Sequence, residues 1–150
     1  MPYVVEVDQS IKVEDPGDTF LAFSDSISYA IQIPFSVKQK GLQALRNQGK
    51  PKKRAKLLLF AACVFLLLEG HLEQLQRVTV DNEYDGRQAD IKSFLVEYIK
   101  KKDPTFEAER IEIRAIGKRS PADHLAGAVR RGKREADRVI TARELLSVVG

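Results

Sequence analysis

The chain has 150 residues, of which 43% are hydrophobic, and it carries a net charge of +4. This length suits one domain with a core of its own, so we expect a single domain spanning residues 1–150. One cysteine, Cys63, excludes an intramolecular disulfide, and no cluster of cysteines indicates structural zinc.

The hydrophobic pattern predicts three strands, then helices alternating with strands. Short connections make the first three strands an antiparallel meander. Residues 36–50 are expected to form a polar connection, in which a short helix around residues 42–46 is an option. The predicted strands are 3–8, 19–24, 27–35, 77–80 and 109–117, and the predicted helices are 51–68, 89–101 and a last helix over 120–140.

A run of twelve apolar residues, 57–68, raises the question of a membrane span. A spanning helix needs about 20 such residues, so a helix buried in the core is the better interpretation. The N-terminus shows no basic segment followed by an apolar stretch, so no signal peptide is predicted. We therefore expect a cytoplasmic protein that does not bind a membrane.

Basic residues are concentrated in two segments. Residues 38–56 carry eight bases and no acid, and residues 117–143 carry eight bases against three acids. Two such segments suit a polyanion such as nucleic acid, although a solvated loop and a solvated helix face would look the same. The candidate nucleic-acid contacts are Lys52, Lys53, Arg54, Lys118, Arg119, Arg130, Arg131, Lys133 and Arg134.

Acidic residues gather where the fourth predicted strand ends, in "VTVDNEYDG" (78–86). Asp81, Glu83 and Asp85 lie within five positions. Asn, Asp and Gly are turn formers, so a simple turn would explain the stretch. A metal site is the alternative, because hard cations prefer oxygen ligands.

A further acid opens the last predicted helix. Ser120 can cap this helix, Pro121 suits its first position, and Asp123 falls at the third. Asp123 thus has a structural explanation as a capping-box acid. His124 is the next residue. It is either a functional residue, as a proton shuttle or a phosphate contact, or a surface residue without such a role.

The order of elements and the positions of these acids resemble the ribonuclease H-like superfamily. "VDQS" (7–10) is similar to the Asp-x-Ser of that family's first strand. "VTVDNEY" (78–84) is similar to its strand-four Asp, and "ADHLAGAV" (122–129) to the Asp-x-Leu-Ala at the start of its C-terminal helix. The resemblance implies an α/β fold with a mixed five-stranded sheet, in which an antiparallel three-strand meander is joined by parallel strands and helices cover both faces.

The resemblance also implies cleavage of phosphodiester bonds with magnesium or manganese. Asp8, Asp81 and Asp123 would converge on the metal with Glu83 as a fourth ligand, and His124 would assist catalysis. Nucleic acid, either DNA or RNA, is then the expected partner, and a homodimer is left open.

One departure from the family's pattern keeps other functions open. The family usually places a Glu near the start of its first helix, where this chain has the basic stretch "KPKKRAK" (50–56). Glu69 ends that helix roughly 20 Å away, too far to join the cluster. Either Glu83 or Asp85 substitutes, or the domain binds nucleic acid without cutting it. An assembly protein whose basic tail, "RRGKREADRVITARELL" (130–146), docks on a partner is a third interpretation.

Overall fold

The computed structural model describes residues 3–25, 27–116 and 120–150. The strands are β1 (Tyr3–Ser10), β2 (Thr19–Asp25), β3 (Tyr29–Ile33), β4 (Leu75–Asp81), β5 (Ile111–Arg114) and β6 (Arg138–Val139). The α-helices are α1 (Phe35–Asn47), α2 (Lys52–Leu68), α3 (Gln88–Lys102), α4 (Pro121–Arg130) and α5 (Ala142–Val149). Short 3₁₀ segments precede β4 and β5 at Glu69–Gln74 and Ala108–Arg110.

The strands form one mixed sheet in the order β5-β4-β1-β2-β3-β6. β1, β2 and β3 are the predicted antiparallel meander, while β4 runs parallel to β1 and β5 parallel to β4. The predicted α/β class is therefore confirmed. The predicted number of five strands is wrong, because β6 pairs in parallel with β3 at the edge of the sheet.

Helices cover both faces of the sheet. α2 is apolar on nearly every side because it packs in the centre of the main core, among residues such as Val5 and Val7 of β1. α4 packs on the opposite face against Phe20, Ala22 and Ala30. The helical stretch Lys52–Gln74 is long and apolar enough to cross a membrane, but 78% of its apolar window is buried inside the protein. This burial agrees with the interpretation of α2 as a core helix.

The segment 36–50, predicted as a polar connection with an optional short helix around 42–46, does contain a helix, but this helix is much longer than that option. α1 spans 13 residues and buries Val37, Gly41 and Leu45. A Cβ atom at Gly41 would lie 2.5 Å from Leu145 Cδ2, so glycine lets α1 approach α5 closely. Close packing thus offsets the poor helix propensity of glycine.

The last helix is shorter than predicted. α4 ends at Arg130, and Gly132 follows with a φ of 74°, a left-handed conformation that favours glycine at the end of a helix. The chain then forms β6 and α5, and α5 begins with a capping box between Thr141 and Glu144.

The third and fifth strands are also shorter than predicted, at residues 29–33 and 111–114. The predicted end of the fifth strand, at residue 117, lies outside the described residues.

Candidate metal centre

Three carboxylates meet where β1 and β4 approach their C-terminal ends. Asp8, Asp81 and Glu83 each offer one oxygen atom, and these oxygens lie within 4.8 Å of one another. β1 and β4 are parallel neighbours in which Val7 is opposite Val80, so the residues that follow these two lie side by side. The expected proximity of Asp8 and Asp81 is thus found, and Glu83 joins them from the turn after β4.

Backbone hydrogen bonds hold the two aspartates in place. Gln9 N donates to Asp8 Oδ1 at 2.7 Å, and Ile116 N donates to Asp81 Oδ1 at 3.0 Å. In the turn that carries Glu83, Tyr84 N donates to Asn82 Oδ1 at 3.3 Å. The first two bonds orient the carboxylates of Asp8 and Asp81, and the third orders the turn that carries Glu83.

Burial and mutual repulsion make the ionised cluster costly. Asp8 is only 5% exposed, and burial raises its pKa to about 7. The Gln9 N–H opposes this rise, whereas the charges of Asp81, Asp123 and Glu83 add to it. The pKa of Glu83 is also raised. Burial is the main cause, and the hydrogen bond with Asp81 and the negative charge of Asp81 add to it. A bound cation would relieve the repulsion between these crowded carboxylates.

Asp123 lies near the cluster but outside the group within 4.8 Å. Its backbone N–H donates to Ser120 Oγ at 3.1 Å, so Ser120 caps α4 as predicted, with Pro121 in the first turn. Its negative charge raises the pKa of both Asp8 and Glu83, which places the carboxylate within electrostatic range of them. His124, the next residue, is exposed.

A cleft of about 310 Å³ adjoins the cluster on the side of α2. Glu83 and Tyr84 line it, together with Lys53 and Lys56 from the first two turns of α2, the region where the resemblance would place a Glu. Asp85 also lines the cleft but stays outside the carboxylate group, so Glu83 is the acid that joins the cluster.

Glu69 is engaged elsewhere, as expected. Its carboxylate forms ion pairs with Lys102 at 3.6 Å and with Arg138 at 3.8 Å, just beyond the C-terminal end of α2.

The residues predicted to contact nucleic acid differ in their surroundings: some are exposed or line the cleft, and others contact groups of the protein. Lys53 faces the cleft, Lys52 is exposed, and the Arg54 guanidinium lies 5.0 Å from the ring centre of Phe94. Arg134 is paired with Asp137 at 3.1 Å. The exposed residues near the end of α4 are Arg130, Arg131 and Lys133. Lys118 and Arg119 lie outside the described residues.

Three cations that line the cleft were missed by the sequence analysis: Lys12, Lys56 and Arg87. Lys56 follows Lys53 by three residues and so shares its side of α2, a spacing that could have identified it. Lys12 belongs to the β1–β2 loop and Arg87 to the residues before α3, and no sequence pattern joins them to the cleft.

Comparison with known proteins adds no assignment, because no protein-family profile, no curated protein and no solved structure matches this chain.

Proposed function

We propose that this chain is a divalent-metal-dependent nuclease built on a ribonuclease H-like scaffold. One observation carries the proposal: oxygens of Asp8, Asp81 and Glu83 lie within 4.8 Å of one another at adjacent parallel strands. The antiparallel meander, the parallel β4 and β5, and the helices on both faces support the scaffold.

The residues present fit a magnesium or manganese ion. Both cations are hard and prefer carboxylate oxygens, and magnesium keeps several waters in its coordination shell. Asp8, Asp81 and Glu83 would hold the metal, with Asp123 adding negative charge nearby. The bound metal would activate water and neutralise charge on the attacking and leaving oxygens of a phosphodiester.

The protein's own residues prepare the site in two ways. The Gln9 and Ile116 N–H groups orient the carboxylates of Asp8 and Asp81, which lowers the cost of ordering them when a ligand binds. His124, exposed in the first turn of α4 beside Asp123, is the candidate for moving a proton between the site and solvent.

Basic residues lie on both sides of the carboxylates. Lys53 and Lys56 line the cleft next to Glu83. On the other face of the sheet, Arg130 lies about 10 Å from Asp123 along α4, at 1.5 Å per residue. Cations on both sides would attract and position a polyanionic strand across the site.

Asp81→Asn tests the proposal. Asparagine keeps the oxygen that accepts from Ile116 N–H, so the fold should persist while the metal loses a charged ligand. We expect the wild-type protein to cleave at least one of single-stranded, duplex, hybrid or branched substrates with magnesium or manganese. The variant should not cleave it, yet should bind it as well or better because one charge that repels phosphate is gone. Asp85→Asn, in the same turn but outside the cluster, is the matched control and should retain cleavage.

A non-catalytic nucleic-acid-binding module is the second candidate. The observation that favours it is the pair Lys53 and Lys56 in the region where the resemblance would place a catalytic Glu. If the wild-type protein binds these substrates, cuts none of them with either metal and gains no thermal stability from manganese, the binding module replaces the nuclease.

A further inference from the structure

Four cations from three separate segments line the cleft beside the carboxylate cluster. Lys12 comes from the β1–β2 loop, Lys53 and Lys56 from α2, and Arg87 from the residues before α3. We name this cleft, defined by these four residues, the lysine cleft. Three acids, Glu14, Glu83 and Asp85, line the same cleft, so its cations outnumber its acids by one.

The β1–β2 loop that carries Lys12 is anchored by a buried lysine. Lys38 is 2% exposed, and its Nζ donates to Asp15 O at 2.8 Å, to Thr19 Oγ1 at 3.0 Å and to Lys12 O at 3.3 Å. All three donors of the ammonium are thus used within the protein. The loop therefore presents the Lys12 side chain from a fixed backbone.

The floor of the lysine cleft is equally ordered. Tyr84 is 6% exposed, and its hydroxyl donates to Glu14 Oε1 at 2.8 Å. The Nζ atoms of Lys12 and Lys56 each lie 5.5 Å from the centre of the Tyr84 ring, within range of a cation–π interaction. The two ammonium groups are thus held around one aromatic ring.

Not all of the positive charge in the lysine cleft is neutralised. Lys56 pairs with Glu14 at 3.7 Å and Arg87 with Asp90 at 3.5 Å. In the part of the chain that the structure describes, Lys12 and Lys53 form no ion pair. Lys12 Nζ instead donates to Glu83 O at 3.3 Å, which joins the lysine cleft directly to the carboxylate cluster.

A buried amide, that of Gln9, lies close to the Tyr84 hydroxyl. Gln9 is 8% exposed, and neither amide atom of its side chain has a hydrogen-bond partner among the described residues. The amide is nevertheless close enough to the Tyr84 hydroxyl to oppose the rise in its pKa. Gln9 itself does not line the cleft, so its amide supports the tyrosine from within the protein.

We propose that the lysine cleft binds a phosphate group of nucleic acid next to the phosphate that is cut at the carboxylate cluster. Lys53 and Arg87 would contact this second phosphate from the rim, and Lys56 and Lys12 from the floor. The identity of the ligand rests on the proposed function, whereas anion binding by the cleft does not depend on cleavage. The phosphate is either an internal diester or a terminal monoester, since both present the same anionic oxygens to the cations.

Salt-dependent binding tests the lysine cleft separately from catalysis. The probe is a short fluorescein-labelled single strand, and its matching duplex, titrated with metal-free protein by fluorescence anisotropy across a range of salt concentrations. Lys53→Gln and Arg87→Gln should each lower the slope of log affinity against log salt, by about 0.7 for the single strand and about 0.9 for the duplex. Lys40→Gln removes the same charge from the exposed surface of α1 and should leave the slope unchanged.

Chemically altered probes distinguish the two sources of phosphate. If the cleft binds an internal diester, one neutral methylphosphonate in the strand should weaken binding to wild type but not to Lys53→Gln. If it binds a terminal monoester, a 5′- or 3′-phosphate should strengthen binding to wild type alone. Equal salt slopes for Lys53→Gln, Arg87→Gln and Lys40→Gln would overturn the inference, whether or not the protein cleaves. A lowered slope in a protein that never cleaves would support the lysine cleft and overturn only the nuclease.

Discussion

Replacing the buried Asp8 by asparagine should stabilise the metal-free protein, and increasingly so as the pH rises. The folded protein holds the proton on Asp8 more tightly than the unfolded chain does, because burial raises its pKa from 3.8 to about 7. The stability that comes with the protonated form is complete below pH 3.8 and is lost as the pH rises through about 7. Asparagine keeps the acceptor for Gln9 N–H but carries no charge.

The two pKa values set the size of the effect. Relative to acidic pH, this difference in pKa lowers the free energy of unfolding by ~2 kcal/mol near pH ~5, where only the unfolded chain ionises Asp8, and by ~4 kcal/mol near pH ~8, where both states are ionised. For a chain of this length, the larger value corresponds to a rise in Tm of roughly 8–16 °C for Asp8→Asn. The gap between variant and wild type should therefore widen by ~2 kcal/mol between these two conditions.

Chemical denaturation and thermal melting at both pH values, without divalent metal, measure this gap. Asp85→Asn is the control, because Asp85 is exposed and lies outside the cluster, and its effect should be small at both pH values. Adding manganese should raise the Tm of wild type at the higher pH, where the ligands are ionised, and should do much less for Asp8→Asn. A variant that is no more stable than wild type, or a gap that does not change with pH, would refute the electrostatic argument.

Three further predictions concern other parts of the protein. Glu83→Gln should be nearly as damaging to cleavage as the loss of Asp81, whereas Glu69→Gln should leave kcat close to wild type; equal loss in both variants would show that the cluster is wrongly assigned. Lys38→Met should lower the free energy of unfolding by about 2–4 kcal/mol in a denaturant titration, because it leaves buried oxygens without donors, and an unchanged midpoint would argue against the anchored loop. Gly41→Ala should cost about 1–3 kcal/mol by overpacking the α1–α5 contact, whereas alanine in an ordinary helix would stabilise.

The sheet and the central helix could be predicted because their signals are local. The third strand alternates apolar and polar residues, and α2 is apolar almost all round, so each carries its own pattern. The meeting of Asp8 and Asp81 was expected only from the resemblance to the ribonuclease H-like superfamily. These are the parts of the site that the sequence could predict.

The full length of α1 could not be predicted from local pattern, which indicated only an optional short helix around residues 42–46, because the longer helix depends on distant packing. Gly41 argues against a helix interior when only propensity is weighed. In the folded chain it is the residue that allows α1 to approach Leu145, about a hundred residues later. In the C-terminal segment, Ile140, Leu145 and Val149 likewise belong to the main core, so these three side chains pack within the same domain.

The arrangement around Glu83 also exceeded what sequence reasoning could predict. The position of Glu83 depends on the turn that follows β4, where Tyr84 N–H bonds to Asn82, and turn geometry is not specified by strand periodicity. The lysine cleft depends on the β1–β2 loop, which the buried Lys38 holds in place. Neither relation has a fixed spacing in the sequence.

Locating manganese in crystals of the protein tests the account most directly. Crystals of wild type and Asp81→Asn would be grown with manganese, and anomalous difference maps calculated for both. The account predicts a wild-type peak coordinated by Asp8, Asp81 and Glu83, and its loss or strong weakening in the variant. Saturating manganese that leaves these three carboxylates without a peak, or a peak of equal height in the variant, would contradict the central claim that they form a metal centre.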